Sequence, residues 1–488
     1  MKLLRALLST INLLLLCFSV TLSVSADERP NVVLIIGDDI SRDFSAYGGP
    51  VKTPNIDVLA KNGVLFNNAY TTASSCSPSR NSMITGRYPH NHGAPELHMA
   101  LPEEQFVFPQ LLKDAGYYNV ADGKWHMGDV PRVAFDSIND PGYQVDPTGS
   151  AHWVQSLQER PKNKPFFMWF AAFDAHRPWE PDAEEIPHDA SNVIVPAGVP
   201  DTPIARQDIA SYYDEVRRFD RYVGYVIKEL KTQGVFDNTL ILLVGDNGRP
   251  FPRNKTTLYE NGMNIPFIMH WPNGDIKAGA TSSSLVSTID IAPTILEALG
   301  MAAPPQVQGI SFLPIARQPG LQTRQLLFGE RNWHTQIGVG RMVRQGDYVY
   351  FKDFTPTSYS FQMVANTNPT QTELLRLKAE GKLKPEQAEL FSTERAVEML
   401  FNVIDDPQQL NNLVNKIEHK ALLQHLREKL ALWQKRTGDS IPALDQLTVD
   451  RHDRKTFERL YKGMRPPTGV VPGQAAGATK INDPGPLK

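Results

Sequence analysis

The chain of 488 residues carries 50 basic and 53 acidic side chains, a net charge of −3, and so lacks the basic excess of a nucleic-acid binder. With only 2 cysteines it has no disulfide framework. An anionic substrate must therefore be held by a local cluster of charge, in a chain long enough for two or three domains.

At the N-terminus Lys2 and Arg5 precede the apolar run INLLLLCFSV, and SVSADERP follows, with Val24 and Ala26 flanking Ser25. This order predicts a secretory signal peptide over 1–26, cleaved after Ala26, and an exported protein, periplasmic or secreted. The run is short for a spanning helix and no second one follows, so no membrane span is expected. Cys17 leaves with the signal. Cys76 then remains as the single thiol, without a partner in an oxidising compartment, among Ser74, Ser75, Ser77, Ser79 and Arg80, which do not describe a core segment.

The segment from Asn31 to Ile36 is apolar and β-branched and ends in Gly37, Asp38 and Asp39, the pattern of a buried parallel strand closing on polar groups. The same grammar recurs from Tyr118 towards Lys124 and His126, from Phe166 to Phe173 before Asp174 and His176, and from Thr239 to Val244 before Asp246 and Asn247. Helical patterns alternate with these strands: TPNIDVLAKNG with Asn55 as its cap, FVFPQLLKDAG ending at Gly116, and a long one from Ala205 to Gly234. Alternation of this kind predicts an α/β domain with a mostly parallel sheet flanked by helices. Ligands of such sheets sit beyond the carboxyl ends of the strands, so the four polar strand ends predict one converging site.

After about residue 335 the pattern changes to a hairpin around Gly346 and Asp347 and an amphipathic helix in HKALLQHLREKLALWQKRTG. The expected organisation is a catalytic domain over 27–335, a smaller C-terminal α+β subdomain over 336–445, and an extension with a flexible tail over 446–488, where Pro, Gly and Ala dominate.

Asp38, Asp39, Asp246 and Asn247 offer only oxygen ligands, a set suited to Ca²⁺ or Mg²⁺ and not to zinc. Taken alone, each pair is also an ordinary turn sequence. His90, His92 and His98 invite a metal reading too, but the oxygen set is already complete without them.

CSPSR from Cys76 to Arg80, followed by TGRYPHNHG, resembles the signature of the type I sulfatases, and PNVVLIIGDD, GKWHMG, FDAHRPW, VGDNG and KTTLYENGMNIPFIMHWP stand in that family's order. The late segment EMLFNVIDDPQQLNNL is also similar, with Asn402 and Gln409 in place of the usual acids. Within the family the look is that of the heparan N-sulfatases (sulfamidases), except that Lys255 stands where those carry arginine. The resemblance implies an alkaline-phosphatase-like fold and a Cys76 oxidised by a formylglycine-generating maturation enzyme. It implies a Ca²⁺ or Mg²⁺ held by Asp38, Asp39, Asp246, Asn247 and residue 76. Its implied roles are attack on sulfur by the hydrated formylglycine, support by Arg80, neutralisation of sulfate oxygens by Lys124 and Lys255, protonation of the leaving group by His176, and proton uptake by His126 as the aldehyde is restored. The expected substrate is a sulfated oligosaccharide attacked from its end, with N-sulfoglucosamine the leading single candidate, and Arg132, Trp179 and His188 lie in loops placed to grip it. Two alternatives are a phosphonate or phosphate monoester hydrolase of the same superfamily, which in its two-metal form needs further Asp and His ligands, and a non-catalytic glycan-binding relative, which would be expected to lose Cys76 or a carboxylate.

Overall fold

The computed structural model describes residues 29–442, apart from 183, 335–336, 356–367 and 393, and residues 477–488. The expected signal peptide and Cys17 lie outside the described residues, as does most of the expected tail.

The apolar segment after Pro30 forms β1 (Asn31–Gly37), buried along its whole length. Val32, Leu34 and Ile36 enter one core and Val33 and Ile35 the other, as a strand covered by layers on both faces must do. The remaining strands are β2 (Val64–Phe66), β3 (Ala69–Tyr70), β4 (Tyr118–Gly123), β5 (Ser137–Asn139), β6 (Phe166–Ala171), β7 (Thr239–Gly245), β8 (Phe267–His270), β9 (Ala280–Ser282), β10 (Val286–Ser287), β11 (Leu326–Trp333), β12 (Ile337–Gln345), β13 (Tyr348–Asp353) and β14 (Glu398–Asn402). Eight of them make one mixed sheet in the order β5-β4-β6-β1-β7-β8-β2-β9. β5, β4, β6, β1 and β7 are mutually parallel, and β8 runs antiparallel to β7 and β2. The α/β sheet expected from the sequence is thus present, with the four polar-ended strands adjacent at its centre.

Three helices follow their sequence patterns. Pro54–Lys61 has Thr53 as its N-cap residue; Asn55, the expected cap, instead donates from its side chain to Asp220 at 2.9 Å. Phe108–Asp114 closes before Gly116. Pro203–Thr232 spans 30 residues, with Pro203 in its first turn and the Thr202 hydroxyl accepting from the Ala205 amide, a start signal that combines a side-chain cap with a preset φ.

The second sheet is antiparallel, β11-β12-β13-β14. One face packs Leu327, Met342 and Phe351 against Tyr70, Leu258 and Met263 of the first domain. The other packs Phe328, Val343 and Tyr350 beneath Leu426, Leu430 and Trp433 of the helix Lys420–Thr437. The sheet starts at Leu326, ahead of the change of pattern at 335, because its first strand reads in sequence like one more strand of the main domain.

One expectation is corrected by these contacts. Residues 477–488, read as part of a flexible tail for want of apolar pattern, pack back onto the domain through backbone groups. Arg87 donates to the carbonyls of Thr479 and Ile481 at 2.9 Å each, Asn91 to that of Ala478 at 2.8 Å, and the Gln325 amide to that of Leu487 at 2.7 Å. Backbone carbonyls carry no sequence pattern, so this docking was not legible. Among the described residues no helix is long and apolar enough to cross a membrane.

Candidate active site

Strand register brings the site together. Gly37 of β1 lies opposite Gly245 of β7, which sets Asp38 beside Asp246 in the next step of the chain. Gly123 of β4 lies opposite Ala171 of β6 and has φ 96°, and a Cβ there would fall 2.0 Å from the Ala171 carbonyl oxygen. Only glycine fits such a turn, and it is this turn that delivers Lys124. Asp39 and His126 also occupy left-handed backbone, at φ 55° and 58°, where non-glycine residues are uncommon and concentrate at functional sites.

Cys76 opens the helix Cys76–Thr85, whose ten residues are all buried. Its Sγ lies 3.8 Å from Asp39 Oδ1. Burial pushes the thiol well up from its ordinary pKa, and Asp38 adds to this; an unmodified Cys76 is therefore protonated and a poor nucleophile. One turn on, Arg80 is fully buried. It donates from Nε to Asp246 Oδ2 at 2.9 Å and from Nη1 to the Lys124 carbonyl at 2.8 Å, so it ties two strand ends to the helix.

Three carboxylates face three cations here. Asp38 pairs with Lys124 and Asp246 with Arg80, while Lys255 Nζ lies 2.6 Å from Asp39 Oδ1. Burial raises the Asp38 carboxyl, but Lys124, His176, Arg80 and Lys255 together hold it well below the usual range. Burial and the neighbouring Asp38 push Asp246 the other way, the splitting expected of like charges in one enclosure. Oxygen atoms of Asp38, Asp39 and Asp246 lie within 4.8 Å of one another. Asn247 donates from Nδ2 to Asp39 Oδ1 at 2.8 Å. Its Oδ1, like Asp38 Oδ1, is buried and receives no hydrogen bond. Two orphaned acceptors within an all-oxygen cluster fit a hard dication, which both would ligate.

The histidines close the site. Ligating atoms of Asp38, Cys76 and His176 are within 4.8 Å of one another. His176 Nδ1 lies 2.5 Å from the Arg177 carbonyl, an acceptor only, so Nδ1 carries a proton and Nε2 is the working nitrogen. Burial, with Lys124 and Lys255 beside it, lowers its pKa to about 4. His126 Nε2 is 2.7 Å from His98 Nδ1, and its Nδ1 is buried without a partner; burial and Lys124 hold the ring neutral.

The ten residues expected to hold the cation or carry the reaction, Asp38, Asp39, Cys76, Arg80, Lys124, His126, His176, Asp246, Asn247 and Lys255, therefore gather at one end of the sheet. Asp174, at the same strand end, turns instead to Arg218 at 2.6 Å. His90 and His92 belong to the packing: His90 meets Glu330 at 2.8 Å and His92 the Pro78 carbonyl at 3.2 Å. His90, Glu330 and Asp439 also cluster, but Arg341 donates twice to Asp439, at 2.7 and 2.8 Å, and supplies charge there. Arg132 and His188 pair locally, with Asp140 at 3.3 Å and Asp214 at 2.7 Å, and Trp179 lies under the Arg177 guanidinium.

Sequence reasoning missed His334. It is buried at the end of the second sheet, with Nδ1 2.9 Å from the hydroxyl of Ser75, the residue before Cys76. Burial and then Lys255, His98, His176 and Lys124 depress its pKa, which places it on the edge of the same site. No local pattern announces it, because it reaches the site by packing of one domain on another.

Carboxylates ready for a cation, lysines for an anion and two neutral histidines define a hydrolase of anionic esters or amidates. Residues 30–301 match the sulfatase family, and the chain belongs to that family. The human N-sulphoglucosamine sulphohydrolase is 29% identical over 466 residues, covering 84% of this chain and 91% of that protein. An ulvan-active sulfatase of Formosa agariphila is 28% identical over 467 residues, covering 84% of this chain and 76% of that one. A solved structure of a protein in complex with its substrate D-glucosamine-2-N,6-O-disulfate shares the fold, with a TM-score of 0.67 at 20% identity over 84% of this chain and 98% of that one.

Proposed function

We propose that the protein is an exported sulfatase that removes sulfate from the end of a sulfated oligosaccharide, using a formylglycine made from Cys76 and a bound Ca²⁺ or Mg²⁺. The observation that carries this reading is the charge balance around Cys76, three carboxylates against Arg80, Lys124 and Lys255. A dication added to a neutral cluster leaves two positive charges in excess, matched by one sulfate monoester anion and one ionised hydroxyl.

Hydrated formylglycine supplies a hydroxyl nucleophile stronger than serine, and the dication supplies the charge that acidifies it. Asp38, Asp39, Asp246 and Asn247 would hold the dication through oxygens already turned to one another. Lys124 and Lys255 then exchange part of their pairing with Asp38 and Asp39 for the sulfate oxygens, where charge accumulates in the transition state. His176 gives a proton from Nε2 to the departing oxygen or nitrogen. Burial, Lys124 and Lys255 lower its pKa to about 4; a sulfate that cancels lysine charge raises it towards the working range. His126 would take at Nδ1 the proton of the second hydroxyl of the hydrated residue 76, so that sulfate leaves and the aldehyde is restored.

Cys76, Pro78 and Arg80 are buried in the folded chain, so the maturation enzyme must read them before folding. For the substrate, N-sulfoglucosamine leads any single O-sulfated sugar. The human relative's named substrate supports this, while Lys255, a point charge in place of a planar bidentate donor, favours an O-sulfate. Sulfate release from a panel of heparan-type and algal-type oligosaccharides tests the reading; matured protein that releases none from any of them defeats it.

A further inference from the structure

Outside the site, several guanidinium groups gather at a pocket between the second sheet and the segment 252–259. Tyr259, Phe351 and Leu258 give it an apolar wall, and Arg253, Arg331 and Arg395 line it with Asp353 and Glu389. Arg253 pairs with Glu389, and Arg395 with Asp353 at 2.7 Å. Arg331 receives only the longer-range attraction of Asp353, which Arg395 already pairs, and its Nε and Nη2 are buried without a hydrogen-bond partner. The chain makes room for this guanidinium. Gly338 on β12 faces it, and a Cβ there would lie 2.2 Å from Nη2. Leaving a buried cation unmatched costs several kcal/mol unless an anion arrives.

Arg331 also lines a small second cavity together with Ser75, Thr256, Glu330, Trp333 and His334; Glu330 is itself engaged by His90 and Arg341. Thr256 Oγ1 is buried there without a partner, and His334 reaches Ser75 beside Cys76. Polar groups thus run from the Cys76 side to Arg331, two of them, Thr256 Oγ1 and the Arg331 guanidinium, unsatisfied, with the Tyr259 and Phe351 rings beyond of the kind on which sugar faces rest.

We propose that Arg331 binds an oxyanion, the carboxylate or second sulfate of the sugar adjoining the one that is desulfated. The proposal rests on the saccharide-sulfatase reading above and adds that the substrate is acidic at two neighbouring residues. It is tested with matured protein and three disaccharides that share the sulfated terminal sugar and carry on its neighbour a carboxylate, a sulfate or neither. A charge-assisted hydrogen bond of about 1.5–3 kcal/mol corresponds to roughly ten- to hundredfold in kcat/KM. Wild-type protein should prefer at least one acidic neighbour by that factor, Arg331→Gln should lose the preference, and Arg331→Lys should keep part of it. Rates within twofold for all three substrates, or a preference that survives Arg331→Gln, overturns the proposal. If no substrate releases sulfate, the sulfatase reading fails instead. Calorimetric Kd values for an unsulfated carboxylate disaccharide then decide the present point: tenfold weaker binding by Arg331→Gln supports it, and equal binding overturns it.

Discussion

His98 Nδ1 and His126 Nε2 lie 2.7 Å apart, and both residues hold left-handed backbone, at φ 65° and 58°. The His98 amide is tied to the hydroxyl of Ser77, one residue past Cys76, at 2.8 Å. When His98 Nδ1 accepts, the His126 proton stays on Nε2 and the lone pair on Nδ1 faces inward, the tautomer a base requires. His126→Ala should lower kcat by about 10²–10⁴, the range for a lost general base. His98→Ala should lower it less, since it only fixes the tautomer. Steady-state kinetics of both variants check the order; a His98→Ala enzyme slower than His126→Ala contradicts it.

His176 as general acid predicts a dependence on the leaving group. A sugar alcohol or amine needs its proton, whereas para-nitrophenolate leaves without one. His176→Gln should therefore cut turnover of a sulfated sugar by about 10²–10⁴ and that of para-nitrophenyl sulfate far less. Because the ring in the free protein has a pKa lowered to about 4, it loses its proton early as pH rises. The profile of kcat/KM, which reports the free enzyme, should fall above that point, while kcat in the sulfate complex should hold to higher pH. Identical profiles for the two substrates would count against the role.

Much of this site was readable in advance because its residues follow strands directly. A buried strand that ends in Asp38 or Asp246 announces both its burial and its polar end in one short segment, and sheet register does the rest. His98 was visible as a histidine but assigned to nothing, since its partner is on another loop. His334 gave no signal, for it comes to the site on the far sheet. The docked residues 477–488 were misread for a related reason: carbonyls that accept from Arg87 leave no trace in composition.

Arg80 is a tie as well as a site residue. Removing a partner from a fully buried pair leaves Asp246 uncompensated, at a cost of about 3–5 kcal/mol. Arg80→Ala should lose that much stability in denaturant unfolding, and Arg80→Lys less, since one ammonium cannot reach both Asp246 and the Lys124 carbonyl. Unfolding curves of Arg80→Ala that coincide with wild type would refute the tie.

Deleting 477–488 strips Arg87 of the Thr479 and Ile481 carbonyls and the Asn482 side chain. Each bond to a charged donor contributes about 1.5–3 kcal/mol, so the truncated protein should melt several degrees lower in a thermal scan. An unchanged Tm would show that the segment is not docked in solution.

Cys76 is expected to work only as an aldehyde. Preparations matured to different extents should be digested and the Cys76 peptide resolved by mass spectrometry into thiol and aldehyde forms, with sulfate release measured on the same samples. The account predicts that activity rises in proportion to the aldehyde fraction and vanishes in Cys76→Ser. Thiol-only protein that releases sulfate at the rate of matured protein would contradict it.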